Sequence, residues 1–115
     1  MNDATVPAKP CASQTFNLNG PPLFQLGRVA ATPAALALLD RHGMDPLTLL
    51  NRHQRGDWGE LGVHDQSAND AALVNGSRLL SAYVIKGERV WVITEAVGED
   101  GATRAGSCIL FPKEY

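Results

Sequence analysis

The chain has 115 residues, 44% apolar and 19% charged, values of a single globular domain rather than a disordered chain. Ten Lys and Arg against twelve Asp and Glu give a formal charge of −2, with no basic run, which argues against a sequence-independent grip on nucleic acid. No apolar stretch approaches the roughly 20 residues of a membrane span, and the N-terminus lacks the basic and apolar blocks of a secretion signal, so a cytoplasmic protein with no membrane contact is expected.

Residues 1–22 hold Pro7, Pro10, Pro21, Pro22 and Gly20 among small and polar side chains, and read as a flexible tail ahead of a domain at 23–115. The apolar run Leu23 to Ala31 alternates in part and predicts a strand. Thr32-Pro33 is a helix start, a capping hydroxyl followed by a residue whose missing N–H costs nothing there. The helix carries Leu36, Leu38 and Leu39 and stops at Gly43. Asp45-Pro46 repeats the signal for a second helix to about His53, with Leu47, Leu49 and Leu50 as its apolar residues. A third helix is predicted from Asp65, as N-cap, to Val74, burying Ala68, Ala71, Ala72 and Leu73 and ending at Asn75-Gly76.

Ser77 to Ile85 and Arg89 to Ala96 are the clearest strands, joined through Lys86-Gly87-Glu88. Gly98 to Gly101 is a second turn, and Ala105 to Phe111 a further strand closed by Pro112. Alternation along the middle strand puts Val90, Val92 and Thr94 on one face and Trp91, Ile93 and Glu95 on the other. The predicted architecture is α+β: an N-terminal strand and two to three helices packed on a C-terminal antiparallel meander of three to four strands. So short a sheet leaves an edge that a second copy can pair with, which makes a homo-oligomer one expectation.

Chemistry-bearing residues concentrate in the turn His53-Gln54-Arg55-Gly56-Asp57-Trp58-Gly59-Glu60, with His64 and Asp65 near in sequence. Two readings fit it. In one, His53, Asp57 and Glu60 converge as acid, base or ligands of a divalent ion. In the other, Asp57 accepts backbone N–H bonds, Trp58 plugs the core and the glycines supply left-handed backbone. The spacing matches no ligand motif with fixed mechanics, and Cys11 and Cys108 form no CxxC pair and no ligand spacing with a histidine, so neither metal nor cofactor is expected. Ser81 and Tyr83 share one face of a strand that Arg78 precedes, the pattern of a binding surface or of an ordinary solvated sheet face. Asn69, a poor helix former, is a candidate to bond across to the turn, and Arg55 and Trp58 complete the binding candidates.

The stretches Arg52-His-x-x-Gly-Asp-Trp-Gly-Glu60, Gly76-Ser-Arg-Leu-Leu-Ser-Ala-Tyr83 and Val90-Trp-Val-Ile-Thr-Glu-Ala96 resemble a family of small uncharacterised "plasmid-related" proteins of proteobacterial plasmids and integrative elements. The likeness runs from about Phe24 to Tyr115 and implies a mobile-element setting without a mechanism. This chain departs from it at Gly106-Ser-Cys-Ile-Leu-Phe-Pro112, where family members tend to carry Thr-Thr-Ile-Leu-Leu-Pro. The element order also resembles small ribonuclease toxins, which are typically basic, whereas this chain is not. The expected function is a non-enzymatic accessory protein that binds a protein or nucleic-acid partner. The alternatives are a small hydrolase or nuclease using His53, Asp57 and Glu60, and a DNA-mimicking anti-defence protein.

Overall fold

The computed structural model describes residues 22–115, so the predicted tail lies almost wholly outside the described residues. Within them the order is β1 (Arg28–Ala31), α1 (Pro33–Arg41), α2 (Pro46–Gln54), α3 (Val63–Asn75), β2 (Leu79–Ile85), β3 (Glu88–Thr94), β4 (Gly106–Leu110) and a 3₁₀ turn (Pro112–Glu114). The fold is α+β, as the sequence predicts, with one four-stranded sheet in the order β1-β4-β3-β2. The meander β2-β3-β4 is antiparallel, but β1 lies parallel to β4, so the sheet is mixed rather than wholly antiparallel.

Both Pro-initiated helices start where the sequence places them. The Thr32 hydroxyl accepts from the Ala35 N–H at 3.2 Å, and the Asp45 carboxylate from the Leu47 N–H at 2.9 Å. The third helix differs at its start: Gly62 is the N-cap, and Asp65 lies in the first turn, where its charge suits the helix dipole. The hairpin loop is tighter than predicted. Glu88 already pairs with Ile85, and Lys86 and Gly87 both take positive φ, 50° and 84°, as a two-residue type I′ turn requires.

The first strand is four residues long, not nine. Pairing with β4 begins only at Arg28 opposite Gly106, and the preceding residues are bound elsewhere. The Leu23 N–H donates to the Gln54 carbonyl at 2.8 Å, and the Gln54 amide donates to the Phe24 carbonyl at the same distance. The segment Leu23–Leu26 is thus a strap over the end of α2.

The core lies between the α1–α2 hairpin and one sheet face. Ala35, Leu38, Leu39, Leu49 and Leu50 pack against Tyr83, Ile85, Val90, Val92 and Ile109. Leu36 and Leu47 instead stay 44% and 59% exposed, because a helix resting on one face buries only a stripe at i, i+3, i+4. In α3 the buried positions are Asn69 and Ala72, while Ala68 and Ala71 face outward. A second cluster of Trp58, Ala72 and Leu79, joined by Phe24, Leu61 and Leu73, packs α3 against the end of the sheet.

The contrast within α1 is testable. Leu38→Ala should lower stability by about 2–5 kcal/mol, whereas Leu36→Ala should stay within about 1 kcal/mol of wild type. Urea denaturation with an unchanged m-value checks both.

Candidate functional site

The turn after α2 is built into the fold rather than held out from it. Trp58, 5% exposed, fills the second core cluster, and its indole N–H donates to the Asp70 carboxylate at 3.2 Å. Asp57 folds back, its carboxylate accepting from the Gly59 N–H at 3.2 Å and from Arg52 Nε at 2.6 Å. Burial pushes the Asp57 carboxyl up, but the Arg52 and Gly59 hydrogen bonds and the Arg52 charge outweigh it and hold the carboxyl below its ordinary value. The Asp57 carbonyl accepts from the Tyr83 hydroxyl at 2.7 Å, and Arg52 lies 4.5 Å above the Tyr83 ring.

Gly59 then meets the outer edge of β2. The Ala82 N–H donates to the Trp58 carbonyl at 3.0 Å and the Glu60 N–H to the Ala82 carbonyl at 2.6 Å, a parallel bridge one residue long. Gly59 has φ +75°, and a Cβ there would stand 2.0 Å from the Ala82 oxygen, so no other residue fits unchanged. Two residues along the same edge, the Asn69 side chain does what a strand would do. Its amide donates to the Leu80 carbonyl at 2.6 Å while its oxygen accepts from the Leu80 N–H at 3.1 Å. Asn69 therefore bonds neither to the turn nor to solvent. It is in α3 because the edge of β2 needs both of its hydrogen-bonding atoms.

His53 points the other way, into the protein, with no exposed surface. Its Nδ1 lies 2.5 Å from Ser81 Oγ and its Nε2 2.9 Å from Thr94 Oγ1. Thr94 Oγ1 is 2.7 Å from Ser107 Oγ, which donates to the Leu26 carbonyl at 2.8 Å. Each hydroxyl has one proton, so the order is fixed. Ser107 gives its proton to Leu26 and accepts from Thr94, and Thr94 in turn accepts from His53 Nε2–H. The ring is then the neutral Nε2–H tautomer, with Nδ1 accepting from Ser81. Phe24 meets the ring edge-on at 5.0 Å and Trp58 at 5.7 Å. Burial, with the Arg104 charge adding to it, lowers the His53 pKa from 6.5 to about 3.

Arg104 is the buried cation of this region, 5% exposed. Its guanidinium donates to the carbonyls of Ser77 at 2.7 Å, Glu95 at 2.9 Å and Ala72 at 3.1 Å. The last of these is a second bond to the Ala72 carbonyl, which also accepts from the Gly76 N–H at 2.8 Å, at the C-terminal end of α3, where the helix dipole favours a positive charge. Desolvation lowers its pKa.

The predicted acid–base trio is thus not brought together. His53 is enclosed, Asp57 is engaged by Arg52, and Glu60 is exposed beyond the bridge. His64 and Asp65 are exposed on α3, and among the described residues no group of three His, Cys, Asp or Glu is placed to hold a metal ion. Ser81 and Tyr83 do share a face, but it is the face beneath the helices, and burial there pushes the Tyr83 phenol above its ordinary range. The expectation that they line a binding surface is corrected by that burial. Trp58, likewise buried, is a plug. Arg55, the C-cap of α2, reaches among the described residues the Asn51 carbonyl, at 3.4 Å.

Two of the binding candidates, Arg78 and Asn69, do lie at a cleft. Between α3 and the outer sheet face runs a depression of about 270 Å³ walled by Leu61, Asn69, Leu80, Trp91, Ile93 and Tyr115, with Arg78 at its rim. The Trp91 and Tyr115 rings meet at 65° with centroids 6.1 Å apart. Arg78 lies over the Tyr115 ring and hydrogen-bonds its hydroxyl. Trp91 and Tyr115 were not among the sequence candidates, although strand alternation already sets Trp91 on the face away from Val90 and Val92.

A scan against protein-family models and searches of curated proteins and of solved structures return no match for this chain.

Two substitutions separate the roles along the edge of β2. Gly59→Ala should cost at least about 2 kcal/mol, from the left-handed backbone plus the contact with Ala82. Asn69→Ala, which leaves the Leu80 N–H and carbonyl unpaired, should cost about 2 kcal/mol. Thermal unfolding measures both. A cost below about 0.5 kcal/mol for either would mean that the edge does not depend on these bonds.

Proposed function

We propose that this chain is a non-enzymatic binding module that takes a protein partner at the outer face of its sheet. The observation that carries the reading is the aromatic-walled cleft. Trp91 and Tyr115 stand beside Arg78 over Leu80 and Ile93, in a depression of about 270 Å³, the size of one large side chain. Trp, Tyr and Arg are the residues that most often dominate binding energy at protein interfaces, because each offers large area with few rotatable bonds or a rigid fork of donors. The lining of the cleft is mostly apolar, and its charged members are Arg78 and Asp65, both exposed. That pattern suits an apolar anchor flanked by polar groups better than it suits phosphates, and the net charge of −2 points the same way.

The mobile-element setting belongs to the same proposal and rests on the sequence resemblance alone. The hydrolytic alternative would require His53 to meet solvent, which its enclosure opposes. DNA mimicry has no observation in its favour beyond a small acidic excess.

The test is site-specific photo-cross-linking in cells, with benzoylphenylalanine at position 115 or, as control, at position 47 on the exposed side of α2. The expected result is a discrete protein adduct from position 115 that is absent from position 47 and lost on Arg78→Glu. Equal adducts from both positions, none from position 115, or a nucleic-acid adduct there would overturn the reading.

A further inference from the structure

We propose that His53 is a pH-operated latch: while neutral it pins the end of α2 and the strap Leu23–Leu26 to the sheet, and its protonation releases the two together. The geometry that carries this is a ring sealed from solvent, with one directed hydrogen bond at each nitrogen. Every packed element contributes a face. Ser81 comes from β2 and Thr94 from β3, with Ser107 of β4 behind it, while Phe24 comes from the strap and Trp58 from the turn. The formal charge that acts on the ring is that of Arg104, and among the described residues no carboxylate hydrogen-bonds it.

A second ring proton is costly. For Nδ1 to become a donor the Ser81 hydroxyl must turn its own proton away from the ring, and the new charge would be a second cation near Arg104 in a site closed to solvent. The enclosed ring therefore resists protonation, which burial reflects by lowering its pKa to about 3, whereas an opened site takes the proton near 6.5. The sign follows. The closed form binds fewer protons than the open one, so the latch is at full strength above pH 6.5 and weakens as pH falls towards 3. At pH 4.5, two units below 6.5, the opening equilibrium should have risen roughly a hundredfold.

The connections of His53 also say what opens. It is the last buried residue of α2, and Gln54 beside it holds the strap through the Leu23 N–H and the Phe24 carbonyl. The β2–β3 ladder contains no bond to His53 beyond the Ser81 and Thr94 hydroxyls, so the hairpin has no cause to open with it. Phe24 and Trp58 would become accessible while the sheet persists. The carboxyls of Asp57, Asp100 and Glu114 are all held below their ordinary values, so their share of acid sensitivity sets in from about pH 5 downward and overlaps the lower part of this window. A variant that lacks only the imidazole keeps that share and so isolates His53.

Hydrogen exchange at pH 7.5 and 4.5, corrected for intrinsic rates, tests the latch in wild type and in His53→Gln. The Gln amide keeps a donor for Thr94 but cannot titrate. The expected result is a roughly hundredfold loss of protection at pH 4.5 at Leu23 and through 49–58 but not in 83–94, and no such loss in His53→Gln. Parallel loss across the hairpin, or an unchanged acid response in His53→Gln, would overturn the proposal. Should the variant fail to fold, imidazole nitrogen shifts of wild type decide alone. A neutral Nε2–H ring for as long as the fold is closed supports the latch, and titration near 6.5 with the fold intact defeats it.

Discussion

A single uncharged imidazole joins five parts of this protein. Through its two nitrogens and the hydroxyls beyond them, His53 connects α2 to β2, β3, β4 and the carbonyl of the strap residue Leu26. Such a chain is stable only if every member is satisfied, because an unpaired polar group in that interior costs more than the bond is worth. The consequence is a strict choice of residues. Ser81, Thr94 and Ser107 are small hydroxyl-bearing residues on the face that otherwise takes Tyr83, Val90, Val92 and Ile109. They lie where the helical hairpin gives way to the aromatic pair Phe24 and Trp58, which shields the ring on its open flank.

A second constraint acts at the edge of β2. A strand at the side of a sheet presents N–H and carbonyl groups that need partners, and here they receive three unlike ones: an asparagine side chain, a backbone carbonyl and a backbone N–H from the turn. The sequence His53 to Glu60 thereby serves both constraints, its first residue facing inward and its last glycine facing the edge. Between them Asp57 holds the bend through Arg52 and Tyr83, and Trp58 anchors it in the second core cluster. That division explains why a cluster of catalytic-looking residue types forms no catalytic arrangement. The side chains of His53, Asp57 and Trp58 are already committed to structural bonds, and Glu60 stands apart from them, exposed.

Much of the fold is legible in the sequence, because capping and turn signals are local. Thr32-Pro33, Asp45-Pro46, Asn75-Gly76 and Lys86-Gly87 act over three or four residues, and each stands where the structure uses it. What was not legible depends on partners far away in the chain. Leu23–Gly27 has the composition of a strand, but β4 starts too late to pair with it and Gln54 binds it first. The inward turn of Ser81 and Tyr83 follows from which sheet face the helices cover, a choice that alternation alone leaves open. Asn69 looked out of place in a helix for the same reason, since its partner is a backbone eleven residues away. For the site, the motif stands out in the sequence but its structural purpose does not, and the cleft of Trp91, Tyr115 and Arg78 arises only when α3 and the 3₁₀ turn are set against the sheet.

The docking of Gly59 on Ala82 also changes what kind of segment the α2–α3 connection is. Surface connections ordinarily accept insertions and deletions, since added residues loop into solvent at small entropic cost. This one cannot vary in that way. From the enclosed His53 to the Asn69 amide its span is fixed at both ends and in the middle, so it has a register, as a strand does. An added residue between Gly56 and Glu60 would displace either the Trp58 plug or the bridge to β2. The turn at Gly98–Gly101, whose hydrogen bonds among the described residues run within 98–103, would absorb the same insertion. The far end of the meander therefore tolerates a change of length that the turn between the halves does not.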